Sequence, residues 1–96
     1  MNPFIKARIY QTVAVAALAK ASEQFKTELI ISLGRLYRLD WGEVSKEDIE
    51  VNNEALKCKD FILAAYETSA GKIWITADNR AGNGYDTITV LLPKEY

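Results

Sequence analysis

Residues 61–96 read FILAAYETSAGKIWITADNRAGNGYDTITVLLPKEY, and the fold turns on how this stretch is read. Three runs rich in β-branched and aromatic residues, FILAAYETS, KIWITADN and TITVLLP, alternate with turn residues. That pattern predicts a three-stranded antiparallel meander over about 61–93. Ile73-Trp74-Ile75-Thr76 is its centre. Side chains alternate across a strand, so Ile73 and Ile75 go to one face and Trp74 and Thr76 to the other. Ser69-Ala70-Gly71 suits a three-residue loop with Gly71 in the left-handed region, a G1-bulge turn. In that register Phe61, Leu63 and Ala65 share the face of Ile73 and Ile75, and Ile62, Ala64 and Tyr66 share the face of Trp74. A two-residue Ala-Gly turn slips the pairing by one and exchanges the two sets. The first register is preferred because it makes one face purely aliphatic. Ile88, Val90 and Leu92 then join that face, and Pro93 ends the last strand. The loop Arg80–Asp86, with two glycines and an asparagine, is either flexible or tightly turned.

Upstream of the meander the periodicity is helical, over about 12–58. Thr12 suits an N-cap for a short alanine-rich helix, Val13–Ala21. Ser22 can end it and cap a second helix, about Glu23–Tyr37. There Phe25, Leu29, Leu33 and Leu36 form one apolar stripe. Asp40-Trp41-Gly42-Glu43 reads as a turn, with Trp41 as a core plug. Ser45 then opens a third helix to about Lys57, with Glu47 and Asp48 placed for its positive end. Residues 4–11 fit either an edge strand or a lead-in coil. The expectation is one α+β domain over residues 1–96, with two layers: about three helices on one face of the three-stranded meander.

Composition excludes several function classes. The chain has 96 residues, 49% hydrophobic and 26% charged, which suits a single globular domain rather than a disordered chain. A net charge of −1 draws it to neither nucleic acid nor an anionic membrane, so neither is expected as a partner. With no histidine and Cys58 as its single cysteine, the usual zinc sites and the Ser-His and Cys-His nucleophile pairs are excluded. A lone cysteine forms no internal disulfide, which fits a reducing, cytoplasmic setting. The apolar run Val13–Leu18 is too short to span a bilayer. Its charged approach resembles a signal peptide, but the run is weakly hydrophobic and Lys20 and Glu23 follow closely. Residues 1–38 hold six basic and two acidic side chains, and residues 39–60 hold three basic and seven acidic.

Two surfaces are candidates for binding. The first is the sheet face of Trp74, with Tyr66, Ile62 and Thr76. Helices cover one face of a two-layer sheet; an aromatic patch on the other is either a contact surface or a face over which the N-terminal segment folds. The second is the acidic third helix, where Glu47, Glu50 and Glu54 recur at three- and four-residue spacing. Such carboxylates can hold Mg²⁺, but no second element converges on them, so a solvated face is the plainer reading and no metal or cofactor is expected. Ser69-Ala70-Gly71-Lys72 lacks the spacing of a P-loop.

The segments DWGEVSKEDIEVNNEAL, ILAAYETSAGKIWIT and TITVLLPKEY resemble a family of small bacterial proteins from plasmid and prophage-like settings. Members carry a DWG…ED…N-E-AL segment, an AY-T-S-G-KIWI-T segment and a TTVLLPEEY ending. They are labelled "plasmid-related protein" or "type I restriction endonuclease subunit M", although a chain this small has no room for a methyltransferase domain. The resemblance covers about residues 39–96 and implies a mobile-element setting. It brings no catalytic residues. The expected function is therefore non-enzymatic: an accessory protein that binds another protein, with a host defence nuclease as target in the manner of anti-restriction or anti-CRISPR inhibitors. The alternative is a self-associating structural or regulatory module, a homodimer through the Trp74 face.

Overall fold

A computed structural model describes residues 2–96. Four strands and three helices follow one another as β1 (Arg8–Gln11), α1 (Val13–Ala21), α2 (Glu23–Tyr37), α3 (Lys46–Cys58), β2 (Ile62–Thr68), β3 (Gly71–Asp78) and β4 (Thr87–Leu91). A turn of 3₁₀ helix, Pro93–Glu95, follows β4. The fold is α+β. The sheet, however, is four-stranded and mixed, in the order β1-β4-β3-β2, rather than a three-stranded antiparallel meander. β2, β3 and β4 form the antiparallel part, and β1 adds to it in parallel, beside β4. Residues 8–11 are thus an edge strand.

The helices begin where their caps dictate. The side chains of Thr12, Ser22 and Ser45 accept from the backbone N–H groups of Val15, Phe25 and Asp48. Each cap satisfies one of the donors that a helix start leaves without an intrahelical partner. Phe25, Leu29 and Leu36 of α2, Ala55 of α3 and Val15 of α1 pack with Trp41 and Phe4 against one side of the sheet.

The hairpin register differs from the expected one. Ser69 and Ala70 alone form the loop, and Thr68 pairs with Gly71. Gly71 does take the left-handed region, at φ +100°, but without a bulge. Ile62, Ala64 and Tyr66 therefore face Ala77, Ile75 and Ile73 and lie in the core, together with Ile88 and Val90. Leu63 and Ala65 pair with Thr76 and Trp74 on the opposite side. An all-aliphatic inner face is unnecessary because Tyr66 carries its own partner inside. Its hydroxyl donates to the Asp40 carbonyl at 2.7 Å, and Arg35 lies 5.1 Å from the ring centroid. Burial, and then the charge of Asp40, push the Tyr66 ionisation well above its ordinary range.

The 80–86 loop is tightly turned. The Asp86 carboxylate accepts from the backbone N–H groups of Arg80 and Ala81, which lowers its pKa. Asn79 accepts from Gly84 N–H and donates to the Lys59 carbonyl, tying the loop to the end of α3. No helix among the described residues is long and apolar enough to cross a membrane.

Candidate functional site

The sheet side without helices is built in cross-strand rows. Leu91, Trp74 and Ala65 form one row, and Tyr10, Thr89, Thr76 and Leu63 form the next. Trp74 is partly exposed at the centre, while Ala65, Thr76 and Leu91 around it are buried. After β4, Pro93–Glu95 turns the chain back over this side. Tyr96 then meets Trp74 edge-to-face, with ring centroids 5.3 Å apart, and lies 6.5 Å from the ring of Phe61. Such edge-to-face pairs are favourable beyond the area they bury. Tyr96 remains 70% exposed and Phe61 42% exposed, so the cluster presents aromatic surface to solvent.

Phe61 continues the apolar surface around the sheet edge. It lines a groove of about 500 Å³ with Val51, Glu54, Ala55, Cys58 and Asp60. The groove and the Trp74 face therefore meet at one side chain.

The two edges of the sheet are finished differently. At β2 the outward backbone groups of Leu63 and Ala65, and the Glu67 N–H, find substitutes for a neighbouring strand. Asn52 exchanges two hydrogen bonds with the backbone of Leu63. Ala65 donates to the Trp41 carbonyl and accepts from Glu43 N–H. Glu67 N–H donates to the Glu43 side chain. Arg35 holds this segment through Asp40, at 2.7 Å, and Glu43, at 3.7 Å. These contacts close the edge against further strands. At β1 all four residues are exposed.

The structure keeps Trp74 and Thr76 on the candidate face and removes Ile62 and Tyr66 from it. Both are fully buried on the helix side, a consequence of the two-residue hairpin loop. Their places are taken by Leu63, Phe61 and Tyr96. The period-two alternation could have named Leu63 and Phe61 had the register been right. Tyr96 had no such signal, because its contact with Trp74 depends on the turn after Pro93. Glu47, Glu50 and Glu54 are exposed on α3, and Glu54 pairs with Lys57 at 3.4 Å. Among the described residues no group of three or more acidic or cysteine side chains is disposed to hold a metal ion. Trp41 is a core plug, 3% exposed, with its indole N–H donating to Asn53 at 2.9 Å.

No family model matches the chain, and neither a curated protein nor a solved structure does.

Proposed function

We propose that this protein is a non-catalytic accessory protein that binds another protein through its helix-free sheet face. The observation that carries this reading is the Trp74–Tyr96–Phe61 cluster, aromatic and open to solvent on the sheet side opposite α1, α2 and α3. Aromatic side chains on a rigid sheet make effective anchors, because they bury large area and lose little rotamer freedom on binding. The acidic α3, with Glu47, Glu50 and Glu54, borders the Phe61 groove and offers the charged rim that such interfaces carry. The likeness to plasmid and prophage-borne proteins makes a host defence nuclease the partner of choice.

Expression in a host with a type I restriction nuclease is expected to raise recovery of unmodified phage DNA. Trp74→Ala, checked to be folded, is expected to abolish that gain. No gain with the natural sequence removes the nuclease as target. An equal gain with Trp74→Ala removes the sheet face as the binding surface.

A further inference from the structure

We infer that β1 is a docking edge for a second copy of this chain, joining two sheets into one across a two-fold axis beside Tyr10. The β1 backbone is bonded to β4 at alternate residues only. Arg8 N–H donates to the Asp86 carbonyl at 3.0 Å and Thr12 N–H to the Val90 carbonyl at 3.1 Å. With the parallel register Arg8↔Thr87 to Gln11↔Val90, the N–H and C=O groups of Arg8 and Tyr10 are directed at β4. Those of Ile9 and Gln11 are directed away from the sheet. Among the described residues they have no partner, and such edge groups are the template on which another strand adds.

The spacing of these groups is self-complementary. In an antiparallel pair, two directly opposed residues exchange both backbone bonds at every second position. Setting Ile9 opposite Gln11 of the second copy, and Gln11 opposite Ile9 of the second copy, uses every outward group once. Tyr10 then faces its own counterpart across the axis, in the position where side chains come closest. Ile9 and Tyr10 are 50% and 51% exposed, and Val13, just beyond the strand, is 88% exposed. An isologous interface of this kind closes on itself and leaves no further edge there.

Charge decides for this occupant over an unrelated strand. In the same register Arg8 lies opposite Thr12 of the second copy. The Thr12 hydroxyl donates to Glu95 Oε1 at 2.9 Å, so a carboxylate is held at the position that the incoming Arg8 reaches. Glu95 is fixed there a second time by Leu92 N–H, at 2.8 Å. Among the described residues neither Arg8 nor Glu95 takes part in an ion pair within the chain. The two-fold makes the Arg8–Glu95 pair twice, and it places both Trp74 faces on one continuous surface. The β2 edge, closed by Asn52, Trp41 and Glu43, offers no comparable site.

The test is sedimentation equilibrium of the full chain over micromolar to submillimolar concentration, with amide hydrogen exchange. The natural sequence is expected to dimerise, and protection of the Ile9 and Gln11 amides is expected to rise with concentration. Arg8→Glu and Glu95→Arg each set like charges together twice and are expected to weaken self-association at least about tenfold. Mixing those two variants restores both attractive pairs, so a heterodimer is expected from two monomeric partners. Cooperative unfolding of the variants, compared at concentrations where the natural protein is itself monomeric, separates lost association from lost folding. A monomer throughout overturns the inference. So does a dimer that Arg8→Glu leaves intact, which would place the contact elsewhere, or a mixture that fails to associate.

Discussion

Asn52 stands beside Leu63 as a strand would. Its side-chain amide donates to the Leu63 carbonyl at 2.9 Å, and its oxygen accepts from Leu63 N–H at 3.4 Å. Asn52 is only 4% exposed, so these bonds lie largely out of water and the groups have no ready substitute. An unsatisfied buried donor or acceptor costs about 1–3 kcal/mol. Asn52→Leu is therefore expected to destabilise the fold by about 2–4 kcal/mol, because both Leu63 groups lose their partner at once. Asn52→Asp keeps an acceptor for Leu63 N–H but sets a buried carboxylate against the Leu63 carbonyl, and it is expected to destabilise at least as much. Urea unfolding measures the order; equal stability of Asn52→Leu and the natural protein would show that water reaches Leu63 freely.

Gly42 is the point where the segment after α2 runs parallel to β2, opposite Ala65. A Cβ at this position would overlap the Ala65 carbonyl oxygen and meet the Tyr66 ring at 2.6 Å. Its φ of +76° adds strain for any other residue. Neither obstacle is the end of a flexible side chain, so the backbone must separate. Gly42→Ala is expected to cost at least about 2 kcal/mol and to release the bonds between Ala65 and residues 41–43. Gly71→Ala is the control: nothing lies within 4 Å, so it carries the dihedral strain alone, of order 1 kcal/mol. Chemical denaturation of the pair is expected to separate them in that order.

The helices were legible in the residues because their signals are local. Thr12, Ser22 and Ser45 each precede an apolar periodicity and each accepts the capping bond. The three later strands were legible for the same reason. What failed depended on distant partners. β1 is a strand because β4 lies alongside it, and nothing within residues 8–11 announces a parallel partner. The hairpin register turned on whether a tyrosine could be buried. That was decided by the Asp40 carbonyl, far from Tyr66 in sequence. Trp74 and Thr76 could be placed on a face from alternation alone, whereas the aromatic neighbours of Trp74 come from the strand register and from a chain reversal after Pro93.

Alkaline pH is expected to destabilise the fold through its buried phenols. The Tyr85 hydroxyl donates to the Asp60 carbonyl at 2.7 Å, and burial, followed by the Asp60 charge, pushes its pKa up to about 12. Tyr66 is displaced in the same direction, chiefly by burial. Below pH about 10 both phenols are protonated whether the chain is folded or not, and their contribution is complete. As pH rises from about 10 towards 12 the unfolded chain ionises first, so stability falls across that window. Tyr85→Phe removes one titrating group. It is expected to flatten the decline in thermal midpoint with pH, while lowering stability at neutral pH through the lost hydrogen bond. An unchanged slope would show that Tyr85 ionises normally in the folded protein.

The two tryptophans separate fold from recognition. Trp41 is sealed in the core, and Trp41→Ala is expected to cost about 3–5 kcal/mol, as large truncations in packed interiors do. Trp74 lies partly exposed on the open face, in edge-to-face contact with Tyr96. Trp74→Ala forfeits only part of that area, about 1–2 kcal/mol, and leaves a folded chain whose binding can be assayed. Fluorescence gives the complementary readout. In a Trp41→Phe background, emission from Trp74 is expected to be quenched by acrylamide to a degree between buried and free indole. Deleting Tyr96 removes its cover and is expected to increase that quenching and shift emission to the red. The opposite case is equally clear: a Trp74 that resists acrylamide with Tyr96 deleted would be covered by something other than the carboxyl-terminal turn. An aromatic anchor could not then be reached on this face without unfolding part of the sheet, and the binding surface would have to lie elsewhere.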